Sequence, residues 1–350
     1  MGEKLNRREF LARTTATGIG LYVSSLPSLG SPTLPKASKS QKSRIVIISS
    51  EKVLVDAEKN THSLAKMGMT SIGESNPRID QNALVSMLGN SIKTLTGAKS
   101  DADGWKSLFK PSDVVGIKVN CMAGRALSSH PELITAIVSA LGTAGVAPEN
   151  IIIFDRAESD LVRAGYKPNS SDKGVIVRGT NDYFDAKATR SGDFNGRLSR
   201  IITEKITALI NVPVLKQHAI SGISGALKNH YGSIDNPSEH HGNGCTAIAD
   251  LNATSAIKSK TRLIILDALK GQSSNGPGAD PKFIWEAKTI ITSTDPVAVD
   301  FQAWKMIEEQ RSQTQLPTLG EPKWLSKAEV LDLGTNNPKN MDLIRNIVLT

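Results

Sequence analysis

The chain has 350 residues, 39% of them hydrophobic and 22% charged, which excludes wholesale disorder, collagen-like repeats and a coiled coil and allows one large or two modest domains. The formal charge of +8 sits largely at the start: Lys4, Arg7, Arg8, Arg13, Lys36, Lys39 and Lys42 against Glu3 and Glu9 leave only +3 for the remainder. With 4% aromatics and no basic run, that remainder carries no electrostatic footprint of a nucleic-acid binder.

Residues 1–43 read as a leader and linker. Asn6-Arg7-Arg8-Glu9-Phe10-Leu11 sets two arginines before an apolar pair, an uncharged Gly/Ser/Thr-rich stretch follows Arg13, and a Ser/Pro/Lys stretch closes the segment. That order predicts a twin-arginine export signal, hence the twin-arginine translocation machinery as a partner and a periplasmic or otherwise exported destination. The apolar stretch is too short for a stable span of about 20 residues, so no membrane span is expected after processing.

Residues 44–350 are expected to form a single large α/β domain, with room for two sub-lobes. Short β-branched runs recur at 44–48, 114–119, 151–154, 174–177, 208–212, 263–266 and 289–292. They are continuous and not alternating, as strands buried on both faces require. Helical spacing separates them at 82–95, 131–145 and 295–309, and 340–348 reads as a last helix; 160–200 reads as irregular and 271–281 as a Gly/Pro loop. The predicted fold is an open, mostly parallel twisted sheet with helices on both faces, Rossmann-like.

Ligands of such sheets bind beyond the carboxyl ends of the strands. That rule selects Lys118 and Asn120 after the second run, Asp155 and Arg156 after the third, Asn211, Lys216 and His218 after the fifth, Asp267 after the sixth and Ser293 and Asp295 after the last. Residues 215–245 add Lys228 and hold four of the six histidines, so the chemistry should concentrate there. Lys216 and His218 share one face of an extended segment. Lys228 and His230 lie about 200° apart on a helix, so His230 should pack away from the ligand. Lys216, Lys118 and Lys228 would hold negative charge, His218 would act as acid or base, and Asn120, Asp155 and Asp295 would complete the pocket.

A divalent metal would have to be assembled from His218, His240, Asp155 and Cys245, whose spacing fits no metal template. Cys121 and Cys245 are the only cysteines. They allow one bridge or two separate thiols, and exclude a four-cysteine iron–sulfur cluster from one chain.

Taken in order, 115–120, 131–145, 151–155, 211–218, 225–229 and 294–300 make the chain resemble the family called domain of unknown function 362. The family is similar in having members with twin-arginine leaders. Others carry a ferredoxin-like module, from which this chain departs because the cysteines are absent. The resemblance implies no settled reaction. Two functions are therefore expected: an exported enzyme, metal-dependent or redox, with a pocket for a small anionic or oxygen-rich ligand, or a non-catalytic carrier or assembly factor for a metallocofactor or solute.

Overall fold

Continuous apolar runs need apolar cover on both sides, and the sheet provides it. The computed structural model describes residues 42–55, 79–171 and 173–348; the expected leader, with Arg7 and Arg8, lies outside the described residues. All seven runs are strands: β1 (Ser43–Ser49), β2 (Val115–Lys118), β3 (Ile151–Asp155), β4 (Ile176–Gly179), β7 (Ala208–Asn211), β10 (Thr261–Gln272) and β11 (Ile284–Ser293). Between them lie a β5–β6 hairpin (Thr189–Ser191, Phe194–Gly196), β8 (Val214–His218) and β9 (Gly222–Ile223), and β12 (Met341–Ile347) follows. The large sheet runs β12-β1-β11-β10-β7-β2-β3-β4. Along this path the pairs are parallel except where β11 meets β1 and β10; off it, β8 pairs in parallel with β10 and antiparallel with β9.

Successive side chains in these strands enter opposite layers. Val46, Ile48, Ile117, Ile153, Ile210 and Ile265 pack with Leu84, Met87, Leu133 and Ile137 from helices α1 (Gln81–Thr96) and α3 (Pro131–Thr143). Their neighbours Ile45, Ile47, Phe154, Leu209, Ile264 and Leu266 enter the other layer. There they meet α5 (Gly225–Asn229), α6 (Ala247–Asn252), α8 (Pro296–Gln313) and α9 (Lys323–Val330). Each large aliphatic side chain so buried contributes about 1.5–3 kcal/mol. The short helices α2 (Asp101–Leu108), α4 (Glu158–Arg163) and α7 (Ser255–Lys258) fill the remaining connections. Helix α3 begins with Pro131 at its first turn, and just beyond it Gly145 takes φ 85°, a left-handed conformation open to glycine.

The expected helix over 340–348 is instead the edge strand β12, paired in parallel with β1 from Ser43↔Met341 to Ser49↔Ile347. Its apolar residues fit either period over so few positions, and hydrogen bonding to β1 decided the outcome. Likewise 160–200 is not wholly irregular, since it holds β4, the β5–β6 hairpin and most of α4. No helix among the described residues is long and apolar enough to cross a membrane.

Candidate functional site

Strand β10 is long enough to be shared. Its first part pairs with β7 (Thr261↔Leu209, Ile264↔Asn211), and its second with β8 (Asp267↔Val214, Gln272↔Lys216). The chain leaves β7 at Asn211 and, after Val212-Pro213, resumes as β8 beyond the carboxyl ends of its neighbours. This step carries Lys216 and His218 over the ends of β2 and β3, where Lys118 and Asp155 terminate their strands. Helix α5 then supplies Lys228 and Asn229. All of these but Lys216 border a cavity of about 510 Å³ lined by Lys118, Asn120, Asp155, Arg156, His218 and Lys228, among others.

A polar network forms its floor. Lys118 Nζ donates to Asp155 Oδ1 and to the Val119 carbonyl, both at 2.7 Å, in an ion pair whose side chains are 1% and 8% exposed. Asp155 also accepts from Cys121 N at 2.7 Å and Arg156 N at 2.8 Å. The charge of each partner is therefore met within the protein, as a buried pair requires. A Cβ on Gly232 would lie 2.5 Å from Asp155 Oδ1 and 2.6 Å from Lys118 Nζ, so the backbone approaches the pair as only glycine can. Asn229 joins the strands: Asn120 Nδ2 donates to its Oδ1 at 3.1 Å, and its own Nδ2 donates to Asn211 Oδ1 at 2.7 Å.

The cationic wall is built differently. Lys216 is 1% exposed and lies one hydrogen bond behind the lining, donating to Asn120 Oδ1 at 2.8 Å. Lys228 faces the cavity, donating to His241 Nε2 at 2.9 Å with its ammonium 4.0 Å from the Tyr231 ring centroid. Neither lysine has an ion-pair partner among the described residues. Burial lowers both to about 8, helped at Lys228 by the charge of Lys216 and opposed at Lys216 by Asp155.

His218 Nδ1 accepts from the backbone N–H groups of Ile220 at 3.1 Å and Ser221 at 3.3 Å. That leaves the proton on Nε2. Burial, then Lys228, His241 and Lys216, push the ring down to about 3. It is then a neutral donor at physiological pH, where the sequence alone suggested an acid or base. His241 has the opposite tautomer: its Nδ1–H donates to the Pro237 carbonyl at 2.9 Å, which leaves Nε2 to accept from Lys228. The two rings stack with centroids 5.4 Å apart.

Several expected residues lie elsewhere. Asp295 is at the opposite edge of the sheet, because β11 runs antiparallel and its carboxyl end lies beside the amino ends of β1 and β10 (Ser293 opposite Ile45 and Ile264). There its carboxylate accepts from Ala298 N, Thr335 N and Ser43 Oγ. His230 is buried against Asn211 and Ser233 outside the lining. Asp267 accepts from both the backbone and Nδ1 of His130 at 2.8 Å. His240 bonds Asn236 and packs on Phe194, while Cys245 Sγ donates to the His241 carbonyl. Among the described residues no group of three or more His, Cys, Asp or Glu is placed to hold a metal ion; of the four metal candidates, Asp155 and His218 line the cavity and His240 and Cys245 do not. Cys121 and Cys245 are separate buried thiols.

Arg156, expected beside Asp155, lines the cavity; the sequence reading missed His241, Tyr231 and Asn229 there. Adjacent histidines carry no signal as to which one turns inward, and the turn at 237–240 selects His241. Asn229 carries no charge to mark it beside Lys228 in the sequence.

A family profile described as "Domain of unknown function (DUF362)" matches residues 115–305, which include β2, β3, β7, β8 and the whole polar floor. The chain is 25% identical over 246 residues to a thylakoid-associated protein of Synechocystis sp., covering 66% of this chain and 74% of that one. A crystal structure of a protein from Thermotoga maritima is similar at 10% identity with a TM-score of 0.38, covering 71% of this chain; the chain spans 60% of that protein's length.

Proposed function

The chain belongs to the DUF362 family, and from that premise we propose that the cavity binds a small oxyanion, a carboxylate or a phosphate, in a protein exported by the twin-arginine route. The observation that carries the reading is the pair of buried lysines without an ion-pair partner among the described residues, Lys216 and Lys228, beside a cavity whose Lys118 is already neutralised by Asp155. The other lining carboxylate, Asp160, is paired with Arg163, and Arg156 adds positive charge. Charge-assisted hydrogen bonds in a partly dry cleft hold oxyanions strongly. The His218 Nε2–H adds a neutral donor that does not compete for the charge. Export rests on Arg7-Arg8 and the uncharged stretch that follows.

Calorimetric titration with inorganic phosphate and with oxalate tests the site. Lys228→Ala should weaken binding about 10–100-fold, the loss of one or two charge-assisted hydrogen bonds, with little change in melting temperature. His230→Ala should do the reverse, costing about 2–4 kcal/mol of stability through a lost buried ring and its partners while sparing affinity. Wild-type affinity in Lys228→Ala, or absence of binding by both anions, would sink the reading.

A further inference from the structure

Lys228 is an unusual anion anchor, since its named partners are a neutral imidazole and an aromatic face. His241 Nδ1–H is held by the Pro237 carbonyl at 2.9 Å, which fixes the tautomer and turns the Nε2 lone pair to Lys228 Nζ, 2.9 Å away. A nucleophile, an adjacent base and a group that orients the base are thus in sequence, the arrangement by which enzymes activate weak nucleophiles. Because His241 consumes an N–H of the amine, the nitrogen lone pair stays free for the cavity that Lys228 lines. On the same wall, the His218 ring is stacked 5.4 Å from His241 with its Nδ1 occupied by two backbone donors, so that its Nε2–H is available to a substrate oxygen.

We infer that Lys228 forms a reversible imine with a small carbonyl-bearing acid, an α-oxo acid or an aldehyde acid, bound in this cavity. The inference rests on the oxyanion reading and adds the carbonyl to it. The substrate carboxylate is left to Arg156 and to the Asn120 amide backed by Lys216. In the first step the neutral Lys228 amine attacks the carbonyl carbon, an N–C bond forms, and the C=O electron pair moves to oxygen, whose growing charge the His218 N–H stabilises. His241 Nε2 takes the proton that the nitrogen must lose and returns it to the oxygen. The carbinolamine so formed gives up its second nitrogen proton through His241 to the same oxygen as the C–O bond breaks, so that the oxygen leaves as water and one amine and one carbonyl have become one imine and one water. No oxidant or metal is required. Burial, which holds Lys228 near pH 8, keeps a useful share of the amine neutral.

The test is reductive trapping. The full chain is incubated near pH 8 with glyoxylate and sodium cyanoborohydride, then digested and mapped by mass spectrometry. One carboxymethyl group per chain is expected on Lys228, formed about tenfold or more faster than on any surface lysine and suppressed by saturating phosphate. His241→Gln should slow trapping at Lys228 about tenfold or more. Labelling spread evenly over surface lysines, or His241→Gln trapping at the wild-type rate, overturns the imine. If phosphate still binds while Lys228 remains unmodified, the imine falls and the oxyanion site stands; if phosphate also fails to bind, both fall.

Discussion

Three lysines of the site differ in what neutralises them, and the difference sets their roles. Lys118 has Asp155 at 2.7 Å, whereas burial lowers Lys216 and Lys228 to about 8 with no ion-pair partner among the described residues. Phosphate affinity should therefore hold up to about pH 8 and fall above it, by up to about tenfold per pH unit for each lysine whose charge the ligand needs. Lys228→Ala should flatten that fall, with His241, Tyr231, His218, Cys245 and Lys216 as the other titratable groups acting on Lys228. A second residue tests linkage without touching the cavity. Glu132 is buried, with neither carboxylate oxygen hydrogen-bonded, and burial raises it to about 7 from 4.5. The folded state then holds a proton that the unfolded chain releases, so Glu132 stabilises fully below about pH 4.5 and loses that contribution as pH rises to about 7. The whole swing is worth about 3 kcal/mol. Melting curves of Glu132→Gln should accordingly gain on wild type between those two pH values and keep a constant difference outside them.

At the scale of the element, α8 serves both edges of the sheet. Asp295 caps its N-terminus, accepting from Ala298 N at 2.8 Å, with Pro296 pre-setting the first turn. One turn on, Asp300 accepts from Ala226 N and Leu227 N, holding the start of α5, the helix that carries Lys228 and Asn229. Gly225 at that start takes φ +57°, and a Cβ there would lie 2.4 Å from Asp300 Oδ1. These contacts separate two variants that look alike in sequence. Asp295→Ala should lower stability by about 1–2 kcal/mol, the worth of a helix cap, and leave phosphate affinity unchanged. Asp300→Ala should lower stability and also weaken phosphate binding about tenfold or more, because α5 loses its anchor. Equal binding by both variants would show that α5 is positioned by its packing on α8 alone.

For the whole molecule, the sheet places the functional groups of β2, β3 and β8 at one edge, and the reversal of β11 places Asp295 at the other. An oxyanion reaching this edge meets cations supplied by segments far apart in the chain, which ties binding to folding. The proposed twin-arginine leader is the other feature of this scale. Twin-arginine transport carries folded proteins, so a site assembled from distant segments would travel complete. Replacing Arg7 and Arg8 together by lysine should leave the precursor inside the cell, as fractionation and immunoblotting would show; normal export of that double variant would remove the assignment.

The sequence by itself determined the strands buried on both faces and the helices with long stripes. The run Ile45-Val46-Ile47-Ile48 and the spacing of Leu133, Ile134, Ile137 and Leu141 each record a local environment in adjacent residues. It also determined the Asp295-Pro296 helix start, and it singled out Lys118, Asp155, His218 and Lys228, which strand ends and one short helix bring to a common cavity. Only tertiary structure decided the direction of β11, and with it the exile of Asp295, since no residue within a strand records whether its neighbour runs with or against it. Pairing with β1 likewise decided that 341–347 is an edge strand. The electrostatics of the site were decided at longer range still. Lys118 meets Asp155 across 37 positions, Lys216 meets Asn120 across 96, and Lys118 meets Asn229 across 111. Whether a lysine is neutralised or left to a ligand, and which nitrogen of His218 or His241 carries its proton, depends on such partners, and a charge in a sequence does not name its partner.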